Sequence, residues 1–171
     1  EYELSMPEVY ETGLKAVEES NLQLQEENKL LKEINIRALN SIEEAQRKLT
    51  RDGETGLYNY DFYKNFITKE ISLLVDNPIN QLPGLIIMNV DNMESLKSSY
   101  GDFEVDDVLK NIVYLLEGLK EDGDTLFRLH GAWFALYRQN TGKKELVLKA
   151  ERIRNTISTS KKFVEKITVS M

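Results

Sequence analysis

The chain has 171 residues, with 22 basic and 29 acidic side chains for a net charge of -7, and 41% of it is apolar, so a wholly disordered chain is excluded. There is no cysteine and only one histidine, His130, which removes disulfides, thiolate chemistry and multi-histidine zinc sites. No apolar run approaches the roughly 18 residues of a membrane span and nothing resembles a secretory leader, so a cytoplasmic chain is expected; Glu1 is no initiator, which suggests a piece of something longer.

In chain order, residues 1–50 read as one long helix. Ser5 and Glu8 have the spacing of a capping box, with Pro7 in the first turn. A seven-residue repeat then runs without a break. Tyr10, Val17, Leu24, Leu31, Ala38 and Ala45 occupy one core position, and Leu14, Asn21, Asn28, Asn35, Ile42 and Leu49 the other. Such a repeat predicts a left-handed coiled coil, here a homodimer with parallel chains. Asn21, Asn28 and Asn35 favour that register because each meets its symmetry mate, and Glu27 and Lys32 are placed for attraction across the seam. Leu22, Leu30, Ile34, Ile36 and Leu39 lie off the seam and leave open an amphipathic helix packed on its own domain.

Gly53 and Gly56 break the helix and open a globular half, residues 51–171. A helix is expected over 61–75, with Phe62, Phe66, Ile67, Ile71 and Leu74 on one face, then a loop over 76–83. Leu85 to Val90 is a nearly continuous apolar run, which suits a strand buried on both faces. Short and longer helices are expected over 94–98 and 105–119, the second with Val108, Leu109, Ile112, Leu115 and Leu116 on one face. Residues 125–129 and 133–137 flank His130-Gly131 as a hairpin, 143–157 reads as a helix and 167–171 as a strand. This order defines an α/β fold. Residues 1–50 hold 11 acids and 6 bases, residues 51–171 hold 18 and 16, so neither part has the cationic excess that nucleic acid requires.

These segments carry a family resemblance. Asp52-Gly53-Glu54-Thr55-Gly56-Leu57-Tyr58-Asn59 resembles the D-x-L-T-G-L-x-N-R opening of GGDEF domains, the diguanylate cyclases. Asn89-Val90-Asp91-Asn92-Met93-Glu94 followed by Tyr100-Gly101 is similar to the family's I-D-x-D-x-F-K…Y-G-H-x-x-G-D stretch, and Arg128 to Phe134 falls where R-Y-G-G-D-E-F belongs. Ile167 to Met171 resembles the V-T-V-S-I strand. The resemblance implies a nucleotidyl-cyclase-like domain with a central, mainly antiparallel sheet flanked by helices and a signalling stalk before it, truncated at its C-terminal end so that the family's final helix and strand are expected to be absent here. It implies further that active members pair two GTP-loaded domains and make cyclic di-GMP with divalent cations held by carboxylates.

The sequence departs from the family where that chemistry resides. Asn89 replaces the metal-binding aspartate of the strand. In the signature loop His130, Gly131, Ala132, Trp133 and Phe134, both acidic positions are lost to Ala132 and Trp133. Lys97 stands where the family reads guanine with asparagine, while Asp106 keeps the guanine-reading aspartate, so Asn89, Lys97 and Asp106 form a possible nucleotide remnant. Glu121 takes the arginine position of the product-inhibition site, where it would repel phosphates, and only Asp124 matches. Metal-assisted charge stabilisation supplies several kcal/mol and each 1.4 kcal/mol is about tenfold, so losing both ligand sources costs at least about a thousandfold in rate. No catalytic residue, metal or cofactor is therefore expected.

Some readings stay open. Asp91, Asp102, Asp106 and Asp107 form either a relocated metal site or solvated acids, with Asp91 two residues beyond Asn89 and so on the same side of an extended strand. His130 is a ligand, a base or a turn residue, and Trp133 plugs the old cleft, enters the core or forms an interface. The expected function is a silent GGDEF-like relay or interaction module that works with a protein partner or an upstream sensor in bacterial signalling. Alternatives are a regulator that holds GTP without turnover and an active cyclase with relocated ligands.

Overall fold

The computed structural model describes residues 6–76 and 82–171. The Ser5–Glu8 capping box and residues 77–81 of the expected loop lie outside the described residues. The chain divides into two compact units, Glu1–Arg47 and Lys48–Met171. Helix α1 runs Met6–Thr50, 45 residues and so about 67 Å at 1.5 Å per residue. Its apolar side chains are exposed along the whole length, Val17 by 60%, Leu24 by 52% and Leu31 by 50%. No helix among the described residues is long and apolar enough to cross a membrane.

The second unit contains α2 (Tyr60–Asp76), β1 (Gly84–Val90), α3 (Met93–Tyr100), α4 (Asp102–Leu119), β2 (Asp124–Arg128), β3 (Trp133–Arg138), α5 (Lys143–Ser158) and β4 (Val169–Ser170). The sheet is four-stranded and antiparallel in the order β2-β3-β1-β4. One face carries the main core: Ile86, Met88 and Val90 from β1, Phe134 and Leu136 from β3, Leu109, Ile112 and Leu116 from α4, and Ile153 and Ile157 from α5. On the other face Phe127, Ala135 and Tyr137 meet Phe62, Tyr63, Phe66 and Ile67 of α2. Tyr137 donates its hydroxyl to Glu70, and burial followed by that carboxylate pushes the phenol above its ordinary pKa.

Three expectations need correction. β1 is not buried on both faces: Leu85 and Ile87 are 36% and 40% exposed, because α2 covers β2 and β3 instead. Ile71, expected on the packed face of α2, is 56% exposed and lies outside the cluster that Phe62, Phe66 and Ile67 join. The strand expected over 167–171 shrinks to Val169–Ser170, which pairs with Val90 and Asn89. The helices expected over 94–98 and 105–119 are longer, and only Gly101 separates them; its φ of +85° is a conformation that residues with a Cβ rarely adopt.

The junction after α1 is closely bonded. Asn59 donates its backbone N–H to Thr50 O and its side-chain amide to Leu49 O, both at 2.9 Å. The Asp52 carboxylate accepts from the backbone and hydroxyl of Thr55 at 2.9 and 2.6 Å, closing the Gly53–Gly56 turn. Tyr58 then bridges to Phe127, and Arg128 N donates to Tyr58 O at 2.8 Å.

Candidate functional site

Two strand ends and a hairpin tip define the cleft. Antiparallel pairing sets Asn89 of β1 beside Trp133 of β3. Between β2 and β3, Trp133 N donates to His130 O at 2.9 Å and Leu129 N to Trp133 O at 3.0 Å, with Gly131 at φ +53° in the tip. Val90 N donates to Ala132 O at 3.0 Å, which docks the tip on the end of β1. Asn89, Ala132 and Trp133 therefore stand together at one place, and no carboxylate is among them.

An open cleft of about 880 Å³ lies over this corner. Asn89, Lys97, Asp106, His130, Gly131, Ala132 and Trp133 all line it, together with Glu54, Glu94, Asp102 and Arg128. Phe134 is instead fully buried in the main core. Lys97 is tied to Asp102 at 2.6 Å, and this partner raises its pKa; a bonded ammonium with no acceptor offers guanine a poor substitute for an amide. His130 is a turn residue whose ring meets Tyr60 edge-on at 5.9 Å. Trp133 lines the cleft and is 41% exposed, which removes the reading that puts it in the core.

Asp91 does not join Asp102 and Asp106, the other candidate acids, at the cleft. β1 ends at Val90, so strand alternation does not extend to Asp91. Its carboxylate accepts from Thr168 Oγ1 and Ser170 Oγ, both at 2.7 Å, and it lines a different groove between β1 and α5. Among the described residues no group of three His, Asp or Glu gathers in a way that would hold a metal ion. A divalent cation prefers charged oxygen ligands. At the corner where the family places it, the chain offers an amide, a methyl group and an indole, so the residues do not fit a metal.

The second remnant is also rebuilt. Asp124 is 6% exposed and accepts from Lys149 Nζ at 2.5 Å, Arg138 Nη1 at 3.3 Å and Glu121 N at 2.9 Å. Glu121, expected to be a free repulsive charge, is paired with Arg138 at 2.7 Å and Lys149 at 3.2 Å. Arg138, then Lys149, holds its carboxyl below the usual range. Sequence reasoning missed Lys149 and Arg128. Lys149 had a signal, since Lys149, Ile153 and Ile157 recur every fourth residue on the buried face of α5.

Comparison with known proteins agrees with this architecture. The family pattern described as "Diguanylate cyclase, GGDEF domain" matches residues 49–170. The chain belongs to the GGDEF family. Among curated proteins it is 31% identical over 104 residues to YhcK, an uncharacterized protein of Bacillus subtilis, covering 61% of this chain and 29% of that one. It therefore spans under a third of that relative's length. The coiled coil and GGDEF domain of DgcB from Caulobacter crescentus, solved with c-di-GMP, superposes with a TM-score of 0.70 at 18% identity, covering 92% of this chain and 80% of that one. The diguanylate cyclase SiaD of Pseudomonas aeruginosa, solved with its activator SiaC, gives 0.64 at 22% identity, covering 95% and 64%.

Proposed function

We propose that this chain is a catalytically silent GGDEF domain on a stalk that pairs with a second copy, and that it works as a signalling relay or protein-interaction module in the cytoplasm. One observation carries the reading: Asn89, Ala132 and Trp133 meet at the end of β1 and the hairpin tip and supply no metal-binding carboxylate. SiaD, crystallised with an activator protein, is a relative of the same fold that works with a partner. Within the globular unit, Leu49 and Thr50 are bonded through Asn59, and its neighbour Tyr58 to Arg128 of the cleft. Radiolabelled GTP incubated with Mg²⁺ or Mn²⁺ should give no cyclic dinucleotide above a protein-free control. Product that disappears on Asp106→Ala would overturn the reading. A regulator that holds GTP without turnover is the second reading, supported by Asp106 in the cleft; calorimetric binding of GTP without product would favour it.

The stalk makes its own prediction. Asn21, Asn28 and Asn35 sit seven residues apart on the seam, so any axial slip smaller than a heptad loses all three pairings. In the parallel register Ile34 faces Leu39 of the second copy with the same spacing as Glu27 and Lys32, which accounts for two of the off-seam apolar residues. Replacing the three asparagines with Ile should raise thermal stability and relax the preference for two chains. A chain that stays monomeric by light scattering at about 100 μM, within the range of weak dimers, would refute the paired stalk.

A further inference from the structure

Arg128 is the least satisfied polar group of the cleft. It is 5% exposed, its Cζ lies 4.5 Å above the Phe134 ring, and its Nη1 is buried without a hydrogen-bond partner. Among the described residues nothing accepts from Nη1, although Asp52 and Glu54 are near enough to favour the charge. Asp52 already accepts from Thr55, and Glu54 is an exposed residue at the cleft rim. A buried N–H group without an acceptor has lost its hydration with nothing in return, so an arriving acceptor is favoured. The cleft beside it is open, and one wall is the half-exposed ring of Trp133.

Charge selects what fits. Glu54, Glu94, Asp102 and Asp106 face the cleft against only Lys97 and Arg128, and Lys97 is already paired with Asp102. Without a metal, repulsion from these acids grows with each negative charge on the ligand, so a multiply charged ligand fares worse than a singly charged one. A single carboxylate matches one planar guanidinium fork, and an aromatic body matches the indole and the apolar Val90, Met93, Leu109 and Ala132. We propose that this cleft binds an aromatic monocarboxylate without metal, its carboxylate on Arg128 and its ring against Trp133. The proposal rests on the reading that the cleft no longer holds metal-loaded nucleotide. Glu54 then acts as the competing internal anion.

The test uses phenylacetate as probe, in EDTA. Trp133 is the only tryptophan of the chain, so its fluorescence reports the cleft directly. Saturable quenching, with matching heat in calorimetry, is expected. Glu54→Gln removes the competing charge from an exposed position and should tighten binding about fivefold, the scale of one like-charge contact. Arg128→Gln should weaken it at least about tenfold, and Trp133→Phe, followed by calorimetry, should retain it. No saturable change up to about 10 mM, tenfold beyond millimolar affinity, overturns the proposal. So does binding that requires Mg²⁺, or a Glu54→Gln protein that binds no better. Cyclic dinucleotide formation would overturn the silent-domain reading, whereas absence of phenylacetate binding would sink this proposal alone.

Discussion

Lys149→Met should destabilise the globular unit by about 3 kcal/mol, because it leaves a buried carboxylate short of its strongest partner. Lys149 is 7% exposed and Asp124 6%, and their contact is reinforced by Lys149 Nζ donating to Leu119 O at 2.9 Å. Removing one member of such a pair strands the other charge in a medium that solvates it poorly. The loss sits at the low end of the range for buried pairs because Arg138 still reaches Asp124 at 3.3 Å. For a chain of this length the melting temperature should fall by about 6–12 °C. Lys149→Met combined with Asp124→Leu should recover much of that loss, since two apolar groups of similar volume leave no charge behind. Urea unfolding of the three proteins checks this. A single variant as stable as the parent would show that Asp124 is served well enough by Arg138 and the Glu121 amide.

That network also marks the limit of what the sequence made legible. The element order and the hairpin follow from periodicity and turn spacing, because they depend on neighbours in the chain, and the replaced acids follow from the family resemblance. The reading of β1 as buried on both faces failed because continuous apolarity does not reveal that α2 lies over β2 and β3. The ion pairs of Glu121 were not legible because its partners come from β3 and α5, 17 and 28 positions away. Asp91 was placed by strand parity, and parity stops where the strand does: Asp91 N donates to Thr168 O at 3.0 Å, and its carboxylate turns to the hydroxyls around β4. Arg128 shows the same limit, since an arginine in a strand gives no sign in sequence that nothing will accept from its Nη1.

Strand pairing and the Val90–Ala132 bond hold the backbone of the signature corner independently of which side chains stand there. Acids returned to the corner should find the geometry waiting.

Asn89→Asp, Ala132→Asp and Trp133→Glu, introduced together, should accordingly create a metal site that the parent lacks. Residues paired across antiparallel strands have Cβ atoms about 4.5–5.5 Å apart, so carboxylates at 89 and 133 repel when nothing lies between them. The triple variant should melt below the parent in EDTA. A divalent cation reverses that sign, because hard oxygen ligands at this spacing favour it and the folded state alone presents them. At a Mn²⁺ concentration 100 times the dissociation constant the linkage is about 2.7 kcal/mol, or roughly 5–11 °C in a chain of this size. The parent should show no such shift, since an amide, a methyl group and an indole offer the ion no charged ligand. Differential scanning calorimetry with EDTA and with Mn²⁺ separates the outcomes. Equal Mn²⁺ stabilisation of parent and variant would place metal ligands elsewhere in the chain and remove the basis for a silent site; a folded variant indifferent to Mn²⁺ would show that the corner has lost more than its acids.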